Sequence, residues 1–219
     1  MKVGTDGVLL GAWTDASKAE RILDIGTGTG LIALVLAQKN NLAQIDAIEV
    51  DREAFNEAVL NCQQSSWNDR IKPELCSFQE FLERTNLKYD LVVSNPPFFT
   101  NGVKAPVENR AHARHSDSLP LDFLISGAAG LLNENGRISL VLPIESLPEV
   151  EQLATLNQLF ISRLCKVKPN PIKPEFRILI ELTNSESAIQ ESELMIEYKK
   201  HHDYTPEYKE LTKDFYLKF

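Results

Sequence analysis

Arg21-Ile22-Leu23-Asp24-Ile25-Gly26-Thr27-Gly28-Thr29-Gly30 is an apolar run that passes directly into three glycines at every second position. Residues 21–25 read as a short buried strand, and Leu31 to Gln38 continue as an apolar helix. The glycines between them allow a tight turn and a close approach of a ligand to the backbone. The free N–H groups of the following helix face whatever sits there. The spacing is G-x-G-x-G, which departs from the dinucleotide fingerprint G-x-G-x-x-G. A pyrophosphate cradle is therefore disfavoured against a nucleoside carrying a small charged tail. The competing reading is an ordinary strand-to-helix turn. Asp24, Gly26, Thr27, Gly28 and Gly30 are the candidate ligand residues of this unit.

Outward from it the chain alternates between strand and helix patterns. Residues 43–50 give a second strand, with Glu49 nineteen positions after Gly30 at its tip. An acid there can accept hydrogen bonds from both hydroxyls of a ribose. Asp51 competes for that role but suits the N-cap of a helix running to about Cys62. Ile71 to Leu75 is a weaker third strand, and Phe78 to Arg84 a short helix. Tyr89 to Ser94 is a fourth strand, halted by Pro96-Pro97. Leu119 to Leu132 reads as a helix closed by Asn133-Glu134-Asn135-Gly136, and Arg137 to Leu142 as a fifth strand. Residues 145–159 are helical, and strands near 161–167 and 176–183 form a hairpin across a proline-rich segment. The alternation predicts a doubly wound, parallel α/β sheet with an antiparallel edge. Residues 99–118 read as a long surface loop, and such loops in compact domains are often functional. The tail after Thr183 is polar and charged, with a helix or appendage expected over Glu197 to Tyr208.

In a doubly wound sheet ligands bind beyond the carboxyl ends of the strands, near the switch point in strand order. Asn95 follows the fourth strand directly and should sit beside the glycine loop. Pro96 and Pro97 fix the backbone and turn a carbonyl outward. An amide side chain, a fixed carbonyl and the ring of Phe98 together suit an amino group on a planar target. The nitrogen lone pair of such a group is delocalised and poorly nucleophilic. The Asn95 side-chain oxygen and the Pro96 carbonyl can accept its two N–H bonds and aim the lone pair at a methyl donor. Phe98 can stack on the target ring. The competing reading is a proline-rich loop with an incidental asparagine.

The 219 residues suit one α/β domain, at 43% hydrophobic and 25% charged content. Cys62, Cys76 and Cys165 are too widely spaced for a metal or disulfide framework, so a reducing cytosol is expected. No apolar run approaches membrane-spanning length and no signal peptide is read. The net charge of −8 argues mildly against a nonspecific nucleic-acid binder. Lys166, Lys168, Lys173 and Arg177 are a candidate basic face, although composition favours a solvated loop.

Asp24 to Gly30, Glu49 and Asn95 to Phe98 resemble the motifs of class I S-adenosylmethionine-dependent methyltransferases that act on amino groups. Met1 to Gly11 (Met1-Lys2-Val3-Gly4-Thr5-Asp6-Gly7-Val8-Leu9-Leu10-Gly11), Arg110 with Ala113-Arg114-His115, and Leu211 to Leu217 are similar to the bacterial tRNA1(Val) adenine-37 N6-methyltransferase family. The resemblance runs nearly end to end. It implies a Rossmann-like sheet of seven strands with the last antiparallel, S-adenosylmethionine as cofactor, and the anticodon loop of a valine tRNA as partner. It implies catalytic roles for Asn95, Pro96, Pro97 and Phe98, and a place beside the cofactor for Lys2, Thr5 and Asp6. RNA contacts fall to Arg110, Arg114 and His115. Many class I enzymes hold the cofactor adenine with an Asp after the third strand. Here Ser77 and Phe78 would substitute, with Phe78 equally suited to core packing. The expected organisation is a single domain over 1–219, with residues 1–20 the remnant of an N-terminal segment and 184–219 a C-terminal appendage. No metal and no membrane contact are expected, and the chain should be a cytoplasmic monomer or weak dimer. Enzymes methylating rRNA guanine N2, DNA adenine or protein glutamine share the Asn-Pro-Pro-aromatic motif. Outside that class, a catalytically silent cofactor- or RNA-binding module and a nucleotide-dependent oxidoreductase stay open.

Overall fold

The computed structural model describes residues 4–97, 119–200 and 202–216. Eight strands form one sheet in the order β3-β2-β1-β4-β5-β7-β6-β8. They are β1 (Arg21–Ile25), β2 (Gln44–Glu49), β3 (Ile71–Leu75), β4 (Tyr89–Ser94), β5 (Leu132–Pro143), β6 (Phe160–Lys168), β7 (Arg177–Thr183) and β8 (Gln190–Met195). The helices are α1 (Thr5–Trp13), α2 (Leu31–Lys39), α3 (Arg52–Gln64), α4 (Phe78–Arg84), α5 (Leu121–Leu131), α6 (Leu147–Leu156) and α7 (Pro206–Thr212). The class I methyltransferase architecture expected from the sequence is present. β7 runs antiparallel to both neighbours, β5 and β6. One strand exceeds the expected seven: β8 adds to β6 in parallel and becomes the outer edge.

Side chains alternate across the sheet, so each strand feeds two cores. Ile22, Leu91, Val93, Val141 and Leu179 pack on one face against Leu9, Leu10 and Trp13 of α1 and Ile32, Ala33 and Leu36 of α2. Leu23, Ile25, Val92, Leu140 and Ile180 pack on the other against Phe78 and Phe81 of α4, Leu124 and Ile125 of α5 and Val150 of α6. Tyr208 of α7 is buried in the first core. The α1–α2 contact depends on small residues: a Cβ on Gly11 would lie 2.8 Å from Val35 Cγ1, and one on Gly7 would lie 3.2 Å from Leu31 Cδ2.

Local chemistry explains several boundaries. The Asp51 side chain accepts the Ala54 N–H at 2.8 Å, which caps α3 as its position in the sequence implies. Asn133 to Gly136 form a bulge within β5: Tyr89 pairs with Leu132 and Leu91 with Arg137, and Asn135 has φ 61°.

The far end of α1 is held by charge. Lys39 Nζ donates to the carbonyls of Gly11, Ala12 and Thr14, where the helix leaves acceptors unsatisfied. Burial pushes this ammonium down to about 8, against an opposing pull from Asp15. Next to it the Arg163 guanidinium lies 4.0 Å over the Trp13 ring. Arg163 and Arg137 both face the buried Glu181 carboxylate, at 3.7 and 3.3 Å, and Ser162 Oγ donates to the same group at 2.9 Å. Arg137 also donates to the Asp15 carbonyl at 2.8 Å. Glu181→Ala should leave two mostly buried guanidiniums without their acid. It should cost about 2–4 kcal/mol in urea unfolding, and Glu181→Gln less, because the amide keeps the Ser162 contact.

Candidate active site

Strand register brings the candidate residues into one row. Ser94 pairs with Ile25 and Ile25 with Ile48, so the next residues, Asn95, Gly26 and Glu49, emerge side by side at the carboxyl edge. Strand order reverses between β1 and β4, which opens the crevice there. Ser94 Oγ donates to the Ile25 carbonyl at 2.8 Å and ties the two tips together. This tie is not distinguishable in sequence from any serine that ends a strand.

The glycine loop has the backbone its composition demands. Gly26, Gly28 and Gly30 have φ of 70°, 59° and 82°, a region costly for other residues. A Cβ on Gly26 would meet nothing within 4 Å, so the space over the loop is open and the glycine serves its φ. Asp24 is fully buried beneath the turn. Its Oδ2 accepts Thr27 Oγ1 at 2.6 Å and the Ala33 N–H at 3.2 Å, bracing the loop against α2. Its Oδ1 has no partner among the described residues. Burial pushes this carboxyl up to about 7, against the pull of the Thr27 and Ala33 bonds, and Glu49 raises it further.

Glu49 clamps the loop from the β2 tip. Its Oε1 accepts the Val50 and Asp51 N–H groups at 2.9 and 2.8 Å, and its Oε2 accepts the Gly28 N–H at 2.8 Å. A carboxylate has about four acceptor sites, so roughly one remains open for a ligand hydroxyl. Accepting both hydroxyls of a ribose would require Gly28 to hand its N–H elsewhere. Val50, absent from the sequence-based candidates, is half exposed beside Glu49 and offers an apolar surface at the same edge.

Other candidates take specific places. Ser77 caps α4 in a reciprocal box with Glu80, its hydroxyl donating at 2.9 Å. The Phe78 ring packs edge-on against Phe123 at 5.7 Å, in the α4–α5 contact. Thr5 and Asp6 lie in the first turn of α1, which Gly7 holds against Leu31, the residue after the glycine loop. Asp6 Oδ2 accepts Arg177 Nε at 2.9 Å, which moors that turn to the start of β7. Asn95 is half-buried, Pro96 buried and Pro97 exposed. The Asn95 side chain has no hydrogen-bond partner among the described residues. Lys2, Phe98, Arg110, Arg114 and His115 lie outside the described residues. Among those described, no group of His, Cys, Asp or Glu is arranged to hold a metal, and no helix is long and apolar enough to cross a membrane.

The basic segment is largely neutralised. Lys168 faces Glu175 at 2.9 Å and Glu193 at 3.6 Å, Lys166 faces Glu191 at 3.8 Å, and Arg177 holds Asp6. β8 supplies two of these acids, which explains why the cations do not form a continuous basic face.

The raised Asp24 carboxyl predicts a pH signature. The unfolded chain gives up this proton near pH 4 and the folded chain near 7. The group's contribution to stability is therefore complete below about pH 4 and lost as pH rises to about 7. Asp24→Asn should remove this loss. The difference in urea midpoint between wild type and variant should shift in the variant's favour across that window.

The open space over Gly26, the unpaired Asp24 oxygen and the remaining acceptor site on Glu49 fit a nucleoside with a cationic tail. The methyltransferase small domain family matches residues 4–163. A tRNA1(Val) (adenine(37)-N6)-methyltransferase of Trichodesmium erythraeum is 46% identical over 100% of this chain and 92% of its own length. The Bacteroides fragilis protein of the same name is 43% identical, with the same coverage. Among solved structures, a predicted O-methyltransferase from Agrobacterium tumefaciens superposes with TM-score 0.71 at 17% identity, covering 95% of this chain and 96% of that one. A methyltransferase from Pyrococcus furiosus gives 0.57 at 19% identity, covering 81% of each chain. At those identities the structural likeness speaks for the fold. The relatives, similar along the whole chain, speak for more: this chain belongs to the tRNA1(Val) (adenine(37)-N6)-methyltransferase family.

Proposed function

We infer that this protein transfers a methyl group from S-adenosylmethionine to N6 of adenine 37 in a valine tRNA, beside the anticodon. The observation that carries this reading is the 46% identity spanning the whole chain. The row of Asn95, Gly26 and Glu49 at the strand tips supports it.

When bound, S-adenosylmethionine supplies an electrophilic methyl group on sulfonium sulfur. The chain's own residues bind and orient. Asp24, with its free oxygen, favours a cation at the base of the loop. Glu49 takes a ribose hydroxyl, and Val50 gives the cofactor's base an apolar surface. Across the crevice the Asn95 side-chain oxygen and the Pro96 carbonyl accept the two N–H bonds of the adenine amino group. This draws the nitrogen lone pair out of conjugation and towards the methyl donor. The two prolines hold φ near −65° and keep that carbonyl in place. No strong base is required, because the methylated nitrogen is acidic and releases its proton to water. Phe98 stacks the target base in this reading, and Lys2 with Thr5 and Asp6 borders the cofactor. Arg110, Arg114 and His115 contact the RNA. The target base is unstacked from the anticodon loop to reach this edge. A tRNA substrate supports a cytoplasmic location for the reaction.

Asn95→Ala removes an orienting acceptor and no core contact. Methyl transfer to a valine tRNA transcript, followed with radiolabelled cofactor, should fall by about 100-fold or more. Cofactor affinity by calorimetry should change little. Full activity in the variant would refute the assignment.

A further inference from the structure

The cofactor residues lie over β1 and β2, on one side of Asn95. Beyond Asn95 the same edge continues over β5, β7 and β6. β6 runs parallel to β4 through two antiparallel pairings, so it ends, and β7 begins, on that edge. The β6–β7 hairpin tip, residues 169–175, therefore stands on the side of the crevice that the cofactor leaves free. Three strand spacings of ~4.8 Å separate β6 from β4, and the register sets Leu164 level with Ser94, so the tip stands several residues higher and on the order of 20 Å from Asn95.

The tip is preformed. Pro169, Pro171 and Pro174 restrict its backbone. Asn170 Oδ1 accepts the N–H groups of Ile172 and Lys173, each at 3.1 Å. At its base Phe176 N–H donates to the Val167 carbonyl and Glu197 N–H to the Pro169 carbonyl, both at 3.0 Å. A loop fixed in this way presents Ile172 at 80% exposure, with no core beneath it. The cations around it are not equivalent. Lys166, Lys168 and Arg177 face acids within 4 Å. Lys173, exposed beside Ile172, faces none among the described residues. On a chain of net charge −8, an unpaired cation beside an uncovered apolar side chain on the substrate side is the arrangement that suits a nucleic-acid backbone.

We propose that the β6–β7 hairpin tip is a second contact surface for the tRNA, with Lys173 pairing to a backbone phosphate and Ile172 packing on a neighbouring base or ribose. The proposal rests on the tRNA reading given above. At ~3.4 Å of rise per nucleotide the tip meets the RNA about six nucleotides from the target base. The contact positions the RNA and reads no sequence.

The test is steady-state methylation of a valine tRNA transcript across a potassium chloride series, with calorimetry of S-adenosylmethionine as control. Lys173→Ala should raise the KM for tRNA several-fold. It should also flatten the slope of log(kcat/KM) against log salt by roughly 0.7–0.9, the value of one lost phosphate contact. Lys173→Glu should raise KM about tenfold. Ile172→Ser should raise KM a few-fold and leave the salt slope unchanged. Cofactor affinity should match wild type throughout, and both side chains are exposed enough for the variants to fold. Wild-type turnover with unchanged KM and salt slope in the Lys173 variants would overturn this surface and leave the tRNA reading standing. Absence of wild-type turnover on any tRNA would overturn both.

Discussion

Parallel hydrogen bonding between β2, β1 and β4 fixes what the molecule can do. It aligns Ile48, Ile25 and Ser94, so the next residue of each strand emerges at the same height. A shift of one residue in either pairing would turn Glu49 or Asn95 to the opposite face. Register is enforced from both sides, because Leu23 and Ile25 must enter one core while Ile22 enters the other. The Ser94–Ile25 bond adds a local pin at the point where the strand order reverses. Site geometry thus follows from burial of aliphatic side chains well below the edge.

Charge is handled differently at the two ends of the strands. Towards the end of the sheet remote from the crevice, Glu181 is enclosed by Arg137, Arg163 and Ser162. Nearby, Lys39 closes the last turn of α1. These groups are satisfied, and they anchor a helix whose first turn reaches the active edge. At that edge satisfaction is incomplete among the described residues: one oxygen of Asp24 has no partner and Asn95 offers an uncommitted amide. The buried hydroxyls of Thr14 and Ser139 also lack partners among the described residues, but they are neutral; the unmatched carboxyl oxygen of Asp24 is the one that lies beneath the crevice loop.

Much of this was legible in the sequence where local chemistry and tertiary role agree. The Asp24 to Gly30 stretch announced its turn because glycine adopts those φ values at the least cost. Asp51 could be separated from Glu49 because a cap must stand just before a helix. Asn95 was legible because two prolines end the strand there. The eighth strand was not. Gln190 to Glu193 are exposed along an edge, so they show no apolar alternation, and only the parallel pairing with β6 makes them a strand. The fate of Lys166 and Lys168 was partly hidden for the same reason, because Glu191 and Glu193 lie on that strand, whereas Glu175 stands in the same segment as the lysines. Phe78 suited either the adenine or the core, and only the approach of α5, with glycine at 127, gives its ring a place there.

β8 has a consequence that extends beyond the single molecule. A sheet with two open edges offers unpaired N–H and C=O groups to any other strand it meets. One edge, β3, carries Pro73, which has no N–H to donate. The other carries Glu191 and Glu193, whose like charges would confront each other if two copies paired edge to edge. The same glutamates that draw in Lys166 and Lys168 therefore guard the outer border. An edge strand charged in this way disfavours strand-by-strand association of this sheet.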